Sequence, residues 1–542
     1  MTGRLTLSWA NKDKALLSLG ESGYEWVERD DPRVREVRLL DEAGRVGDAI
    51  GTPADNLLIR GDSVDALRAL VRTPEYAEQY RGKVKLVYID PPFNTGQAFE
   101  HYDDSLEHSV WLGMMRERLV LIRELLAPDG SVWVHLDDAE MAYCRVLMDE
   151  VFGRQNFVAT VVWQKLYGPD NRTDISSMHD YILVYASQRD GWKESRNLLE
   201  RSERQAGQYK NPDNDPRGNW KAENFTGKAG PGRRREQFYT ITTPAGLKFD
   251  PPAGRCWVYT EDRYRALLAD NRIWFGSAGT SGPSVKRFLN EVSAGVVPGS
   301  WWSYEDVGHN QEAKQEIKIL FSTTTPFDTP KPERLLERVI HIGSNPGDIV
   351  LDCFAGSGTT AAVAHKMGRR WVTVELSEST TDTFTKPRLE KVVAGDDPGG
   401  ITESAGWTGG GGFRDLRVAA SVWEVIDDEI GTAVFQAEGV PDERLARSVA
   451  AQLGYELTEP TRADGAAFVG VKGRSRLAVA PGVVDAVTVA DLVSALGEGE
   501  TVLIAALAHT DDAETTLREL SPGSRILRMP SQLFPKTSRV IA

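Results

Sequence analysis

The residues Asp90, Pro91, Pro92 and Phe93 place a hydrogen-bond acceptor, two rigid residues and an aromatic ring in four consecutive positions. They follow Leu86–Ile89, an apolar run that is typical of a buried strand and that the prolines stop at its carboxyl end. In open α/β sheets, ligands bind where the strands end. The pattern therefore predicts a ligand site at Asp90, although an ordinary Asp-Pro turn would use the same residues.

A second segment, Asp352–Thr360, predicts a strand, a glycine turn and a helix that begins at Thr359. Gly356 and Gly358 would let the backbone approach a ligand, and the helix would point its first amides at that ligand. A further strand ends at Glu375, where a carboxylate could accept hydrogen bonds from ribose hydroxyls. A dinucleotide site would use similar features, but Ala361 replaces the third glycine of that pattern.

Length and composition are those of an ordinary globular enzyme. The 542 residues predict about three compact units, with 41% hydrophobic and 26% charged residues. No secretory signal and no apolar run of membrane-spanning length is visible, and the three cysteines are widely spaced. These observations predict a cytoplasmic protein with neither a disulfide framework nor a zinc cluster.

The charge distribution points to the middle of the chain as the part that contacts a polyanion. The net charge of −15 argues against such a partner overall, yet residues 151–310 hold 22 Lys and Arg against 18 Asp and Glu. Basic and aromatic residues are interleaved there, as in surfaces that track a phosphate backbone. The alternative for Arg233–Arg235 is that these residues form a solvated loop. The candidate DNA contacts are Arg217, Trp220, Arg233, Arg234 and Arg235.

Together these motifs resemble those of the modification subunit of type III restriction-modification systems, which are β-group DNA adenine amino-methyltransferases. The similarity extends from Asn56 to Phe413, and the catalytic motif precedes the cofactor motif as it does in that group. Several further segments have no general structural reason to occur together. They are His179–Tyr185, Asn211–Trp220, Gly308–Gln311, Phe327–Pro332 and Gly409–Phe413.

The resemblance implies that Asp90, Pro91, Pro92 and Phe93 position a flipped-out adenine. An exocyclic amine is a poor nucleophile because its lone pair is delocalised into the ring. The Asp90 carboxylate and a backbone carbonyl held by the prolines would accept the amine hydrogens and draw electron density back onto nitrogen. Phe93 would stack on the base once it has left the helix.

The same resemblance implies a site for S-adenosylmethionine and no metal. Methyl transfer would be direct, so proximity and orientation should supply much of the rate. For one predicted contact, Asp62, an N-cap of the following helix is an equally good interpretation. The predicted contacts are Asp62, Lys331, Pro332, Asp352, Phe354, Gly356, Gly358, Thr359 and Glu375.

The predicted fold class is α/β, a doubly wound and circularly permuted Rossmann-like methyltransferase domain with an inserted target-recognition domain and a small C-terminal α/β domain. The strands that precede Asp90 and Gly356 would be neighbours, so both residues would face one cleft. The predicted segments are an N-terminal extension (1–55), a catalytic half (56–186), a DNA target-recognition domain (187–311), a cofactor-binding half (312–395), a Gly-rich linker (396–412) and a C-terminal assembly domain (413–542).

Double-stranded DNA is the implied substrate. A homodimer is implied too, with a helicase-nuclease restriction subunit or other phage-defence proteins as partners. Three alternatives remain: methylation of cytosine N4, methylation of RNA or protein glutamine, and a DNA-recognition subunit with a vestigial methyltransferase fold. Ser or Asn at position 90 would be more usual for the first two, and intact Asp90 and Gly356–Thr360 argue against the third.

Overall fold

The computed structural model describes residues 6–94, 107–229, 232, 234–292, 295–322, 327–428, 431–463 and 466–534. The chain divides into two compact units. The larger combines Met1–Asn197 with Gly299–Ala542, and the smaller is Leu198–Pro298. The smaller unit falls within the segment predicted to recognise DNA, residues 187–311.

A central sheet organises the larger unit, and it has ten strands among the described residues. In chain order the strands are β1 (Leu40–Gly47), β2 (Asn56–Arg60), β3 (Val84–Ile89), β4 (Leu126–Leu136), β5 (Phe157–Gln164), β6 (His179–Ala186), β7 (Trp301–Trp302), β8 (Ile349–Asp352), β9 (Arg370–Glu375) and β10 (Gly412–Val418). They lie side by side in the order β7-β5-β6-β4-β3-β8-β9-β2-β10-β1.

The middle of this sheet is parallel and brings distant segments to one edge. The six strands from β4 to β10 in the sheet order run in the same direction. Every residue of β3 is buried, as expected for a strand covered on both faces. β3 and β8 are neighbours, which confirms the sequence prediction. Asp90 and the glycine turn after Asp352 therefore lie at the same, carboxyl edge of the sheet.

Helices cover the sheet. In the longest of those described, His108–Leu125, Trp111, Met115, Leu119 and Ile122 belong to the main core. The longer helices of the larger unit are α1 (Ser63–Arg72), α2 (His108–Leu125), α3 (Met141–Met148), α4 (Asn310–Leu320), α5 (Glu333–Gly343), α6 (Thr359–Lys366), α7 (Lys386–Ala394), α8 (Asp442–Leu453), α9 (Ala486–Ser494) and α10 (Asp511–Leu520). Shorter helices are Pro32–Arg35, Pro74–Tyr80, Arg189–Ser195, Tyr304–Val307 and Glu378–Thr380.

The Gly-rich segment leads directly into the central sheet. β10 pairs parallel with β2 and antiparallel with β1. A Cβ at Gly412 would lie 2.3 Å from the Val46 carbonyl oxygen, so the close approach of the strands requires glycine there. The predicted boundaries at 55 and 412 therefore cut across one sheet, because propensity along the chain does not reveal which strands pair.

The C-terminal part of the larger unit builds a second sheet, in which β13, β14 and β15 are parallel. Helices α8, α9 and α10 pack on its two faces. The strands are β11 (Glu456–Ala463), β12 (Ala466–Lys472), β13 (Ser475–Val484), β14 (Thr501–His509) and β15 (Arg525–Arg528). Two antiparallel hairpins complete the strands of the unit, formed by Ala15–Ser18 with Tyr24–Val27 and by Trp423–Asp428 with Gly431–Gln436.

The smaller unit consists of short antiparallel strands around an aromatic core. Phe225, Trp257, Tyr264 and Phe275 are buried together in it. Its helices are Glu203–Ala206 and Glu261–Ala269. Its strands are Trp220–Asn224, Thr226–Lys228, Ile241–Thr242, Lys248–Phe249, Arg255–Trp257, Ile273–Trp274 and Ser284–Phe288.

A buried ionic cluster joins α5, α6 and α7. The Glu333 carboxylate accepts hydrogen bonds from Lys366 at 2.8 and 2.9 Å and from Arg388 at 2.8 Å. Lys366 also pairs with Asp397 at 2.7 Å. A third carboxyl, that of Glu316, accepts the Glu333 backbone N–H. Burial and the charge of Glu333 raise the pKa of Glu316 to about 8, so two cations face two carboxylates near neutral pH.

Replacing Lys366 by Met is expected to lower the free energy of unfolding by about 3 kcal/mol or more, because Glu333 and Asp397 would stay buried without their cation. Urea denaturation followed by tryptophan fluorescence measures the loss. Lys318→Met, at an exposed position of α4, is the control and should change stability by less than about 0.5 kcal/mol. Equal stability of the two variants would contradict the assignment.

Replacing Glu316 by Gln should flatten the dependence of stability on pH. The folded protein keeps the Glu316 proton up to about pH 8, whereas the unfolded chain releases it near the ordinary value of 4.5. This proton therefore makes the wild type lose stability as pH rises between those values, and Gln cannot titrate. Urea midpoints at pH 5, 7 and 8.5 measure the difference in stability between the two proteins, which should shift in favour of the variant as pH rises. If the midpoints of the two proteins change with pH in parallel, Glu316 is ionised in the folded state.

Candidate functional site

Asp90 lies directly after β3, and only one of its two carboxylate oxygens has a partner in the described part of the chain. Lys331 Nζ donates to Oδ2 at 2.5 Å. Oδ1 is buried and has no hydrogen-bond partner among the described residues. A buried acceptor without a donor is costly, so its persistence indicates a ligand group that donates to it. The position confirms the predicted strand end, and the Lys331 pair was not foreseen.

The Phe93 ring forms one wall of the site and rests on His135. The two rings stack with centroids 5.8 Å apart and an interplanar angle of 22°. Lys331 Nζ lies 5.2 Å from the Phe93 ring centroid, within range of a cation–π contact. His135 and Lys331 thus contact the Phe93 ring from two directions and fix its orientation.

A buried polar network holds His135 in place. Tyr88 Oη lies 2.7 Å from Nδ1, and Asp180 Oδ2 lies 3.3 Å from Nε2. Burial raises the pKa of the Tyr88 hydroxyl well above its usual value, so this group keeps its proton. Because the Asp180 carboxylate can only accept, the neutral imidazole carries its proton on Nε2, and Nδ1 accepts from Tyr88. Lys165 binds the other Asp180 oxygen at 2.6 Å. The segment His179–Tyr185 carried the only sequence signal for this network.

The Pro92 carbonyl is held by a tryptophan. Trp111 Nε1 donates to it at 2.7 Å, which fixes the chain after Asp90.

Asn94, which follows Phe93, has a left-handed backbone with φ of 63°. Its side chain donates to Glu140 Oε1 at 2.7 Å, and His108 Nδ1 lies 2.8 Å from the same oxygen. Asn94 and His108 are thus held on one buried carboxylate.

The glycine turn has the predicted strand-turn-helix form. Gly356 and Gly358 have positive φ angles of 49° and 76°, and Gly358 is the N-cap of α6. A Cβ at Gly356 would lie 3.2 Å from the Phe327 ring. The Thr359 hydroxyl accepts from Arg388 at 2.8 Å, so this side chain anchors the turn to the buried cluster.

Two carboxyl groups flank the turn. Glu375 Oε2 accepts the Gly356 N–H at 2.8 Å, and Oε1 accepts the Ser377 N–H at 3.0 Å. Asp352 is buried at the end of β8, and Oδ1 accepts the Phe354 N–H at 3.0 Å. Burial, with smaller contributions from Asp90 and Glu375, raises the pKa of Asp352 to about 8. A cationic ligand at this edge would favour the ionised form of Asp352.

Asp62 serves as the N-cap of α1, one of its two predicted interpretations. Oδ1 accepts the Val64 N–H at 2.7 Å and a hydrogen bond from Arg118 at 2.8 Å. The Arg118 guanidinium in turn lies 5.6 Å from the Phe354 ring centroid. This contact brings Asp62 to the glycine turn, and its buried Oδ2 has no partner among the described residues. The capping role therefore leaves room for a ligand contact.

Lys331 and Pro332 directly precede α5. The Lys331 side chain is buried against Asp90 and Phe93, and Pro332 is the N-cap of α5. The expected contact of Lys331 with the cofactor remains a prediction. The sequence could not reveal the pairing of Lys331 with Asp90 because 241 positions separate the two charges.

The candidate DNA contacts in the smaller unit do not share one environment. Trp220 is only 4% exposed and donates to Asp213, so its burial contradicts the predicted DNA contact. Arg217 forms ion pairs with Asp215 and Asp270 and lies over the Phe288 ring. These contacts give Arg217 a structural role, as burial does for Trp220. Arg234 and Arg235 are exposed, and Arg233 lies outside the described residues.

Two kinds of feature do not occur in the described parts of the chain. No group of three or more His, Cys, Asp or Glu side chains is arranged to hold a metal ion. Nor is any helix both long and apolar enough to cross a membrane. Cys144, Cys256 and Cys353 are buried and unpaired.

Three relatives are similar to this chain in sequence. The Mod subunit of the type III restriction-modification enzyme StyLTI from Salmonella typhimurium is 30% identical over 432 residues, which are 69% of this chain and 62% of that protein. The probable HindVI Mod subunit from Haemophilus influenzae is 30% identical over 428 residues, 68% and 54% of the two chains. The DNA adenine methyltransferase YhdJ from Escherichia coli is 42% identical over 314 residues, 58% and 76% of the two chains.

The chain thus spans between about half and two thirds of the length of the two Mod subunits. The family model described as DNA methylase matches residues 84–386, which are more than half of the chain and include both Asp90 and the glycine turn. The chain belongs to the DNA methylase family.

Proposed function

We propose that this protein is a site-specific DNA methyltransferase that transfers a methyl group from S-adenosylmethionine to N6 of a flipped-out adenine. The observation that carries the proposal is the buried Asp90 Oδ1, which has no partner among the described residues and lies at the strand edge that also carries the glycine turn. An amine that donates to this oxygen would satisfy it. YhdJ, which is named as a DNA adenine methyltransferase, supports adenine as the base.

Two hydrogen-bond acceptors would already be in position when the amine binds. Asp90 Oδ1 is the first. Because the Pro92 carbonyl already accepts from Trp111, we assign the Pro91 carbonyl as the second. Hydrogen bonds to both would keep the nitrogen lone pair out of the ring and aim it across the cleft. Phe93, supported by His135, would hold the base by stacking.

The residues of the glycine turn fit S-adenosylmethionine. Gly356 and Gly358 keep the turn free of side chains, Glu375 lies where ribose hydroxyls would bind, and Asp352 offers a carboxyl to a positive charge. When bound, this cofactor supplies an electrophilic methyl group on a positively charged sulfur. Asp62 and Phe354 would bind at the other end of the turn, beside Arg118.

Lys331 is proposed to orient the catalytic carboxylate. By binding Oδ2, its ammonium leaves Oδ1 as the acceptor that faces the base. Lys331 therefore acts on the reaction through Asp90, as a positioning residue.

Recognition and assembly follow from the relatives rather than from the site. We propose that residues 198–298 read the target sequence, since this unit holds 16 Lys and Arg against 11 Asp and Glu and exposes Arg234 and Arg235. The StyLTI and HindVI proteins are named as Mod subunits of type III enzymes. On that basis we propose that this cytoplasmic protein is a homodimer, works with a helicase-nuclease subunit and contributes to phage defence.

Replacing Asp90 by Ala is expected to abolish DNA methylation, with a loss of at least about 100-fold, because one of the two acceptors disappears. Single-molecule sequencing of genomic DNA from cells that express each variant measures it. The wild type should mark adenine in one short motif, and the mark should vanish in the variant. Asp138→Ala, an exposed carboxylate after β4, is the matched control and should keep the mark. A mark that survives Asp90→Ala would refute the proposed catalytic role.

Replacing Lys331 by Met should lower kcat by about 10-fold to 100-fold, because the charged hydrogen bond to Asp90 is lost. The Kd for S-adenosylmethionine should stay nearly unchanged, because the proposed role of Lys331 includes no contact with the cofactor. Isothermal titration and single-turnover kinetics separate the two quantities. Lys331→Arg should recover part of the rate, and exposed Lys318→Met is the control. A weaker Kd with unchanged kcat would instead restore the role expected from the sequence.

A further inference from the structure

Three aromatic rings, which we call the aromatic ladder, lie outside the base and cofactor sites described above. Tyr304 and His309 stack with centroids 5.7 Å apart and an interplanar angle of 16°. Tyr167 extends the series at 5.8 Å from His309, tilted by 52°. Tyr167 is 67% exposed, so the ladder ends in a ring that faces solvent.

The ladder lies at the same edge of the central sheet as Asp90. β5 and β4 both pair antiparallel with β6, so β5 runs in the direction of β4 and β3. Tyr167 follows the carboxyl end of β5 just as Asp90 follows that of β3. The Asn310 N–H donates to the Lys165 carbonyl at 3.1 Å, which ties the segment of His309 to the loop of Tyr167.

Direct contacts connect the ladder with the base site. Trp163 packs edge-on against His135 at 5.3 Å, and His135 supports Phe93. Trp163 Nε1 also donates to the carbonyl of Gly308, the residue before His309, at 3.0 Å. A Cβ at Gly308 would lie 3.0 Å from Pro332, the neighbour of Lys331. Two packed rings and one backbone contact thus separate the ladder from the proposed adenine site.

Hydrogen bonds fix the two segments that carry His309 and Tyr167. His309 Nδ1 accepts the Glu312 N–H at 3.1 Å as the N-cap of α4. The loop that carries Tyr167 is closed by backbone hydrogen bonds from Lys165 and Leu166 to the Met178 carbonyl. A preorganised aromatic face with an exposed outer ring is the form of stacking surface on which proteins bind unpaired bases.

We propose that the aromatic ladder is a second nucleobase-binding surface, on which Tyr167 stacks against a base adjacent to the flipped-out adenine. The inference rests on the proposed function, because it requires DNA opened at Asp90. Extruding a base removes the stacking partner of its neighbours, and an aromatic ring at the edge of the site replaces it. Because every base has a π face, this contact holds the opened strand without reading its sequence.

Photocrosslinking with 5-iododeoxyuridine tests the contact directly. The full-length protein is irradiated with duplexes that carry the iodinated base next to the target adenine, in the motif found by genomic sequencing. Where no motif is found, a mixed-sequence single strand replaces the duplex. Peptide mass spectrometry then identifies the attached residue. We expect attachment to Tyr167, and bound DNA that attaches only elsewhere, or fails to attach, would overturn the inference.

Steady-state kinetics provides a second measurement with matched variants. Tyr167→Ala should raise KM for DNA by about 10-fold, the order of one lost stacking contact, with KM for S-adenosylmethionine unchanged. Tyr167→Phe keeps the ring and should behave like the wild type. Ile175→Ala removes a 91% exposed apolar side chain from the same loop and is the control. Equal KM values for Tyr167→Ala and Ile175→Ala would overturn the inference.

The two measurements separate failure of this inference from failure of the proposed function. Crosslinking does not depend on methyl transfer. Attachment to Tyr167 in a protein that leaves genomic DNA unmarked would therefore support the base-binding surface and reject the methyltransferase activity. Genomic methylation without attachment to Tyr167 would support the methyltransferase activity and reject the base-binding surface.

Discussion

The placement of the Asp90 carboxylate depends on a buried charge in α5. Its partner Lys331 lies two residues before Glu333, which accepts hydrogen bonds from Lys366 and Arg388 and whose backbone N–H donates to Glu316. These contacts fix the start of α5, so Lys331 reaches Asp90 from a rigid position. The Lys331 ammonium binds Oδ2 and leaves Oδ1 without a partner among the described residues. A long-range ion pair therefore links the start of α5 to the end of β3.

The parallel centre of the sheet turns separate sequence motifs into one cleft. β3 and β8 are far apart in the chain but adjacent in space, so Asp90 and the glycine turn share an edge. The wall below Phe93 is built from rings and polar groups that satisfy one another, from Tyr88 through His135 to Asp180. Because that support is buried, the aromatic surface can stay fixed while its outer face remains open to a ligand.

The sequence was sufficient wherever a feature is local. Apolar runs predicted β3, β8 and β9, and the glycine turn was visible in the spacing of Gly356 and Gly358. It failed where the outcome depends on pairing across the chain. The Lys331 partner, the burial of Trp220 and the entry of β10 into the central sheet all depend on contacts between residues that no local pattern relates.

The carboxylate of Glu140 has a consequence for how the protein can change over evolutionary time. Asn94 and His108 both bind Oε1 of this residue, so one buried oxygen holds two residues next to the Asp90–Phe93 motif. A change at Glu140 would remove the partner of both residues at once. Among related sequences, Glu140, Asn94 and His108 are therefore expected to change together.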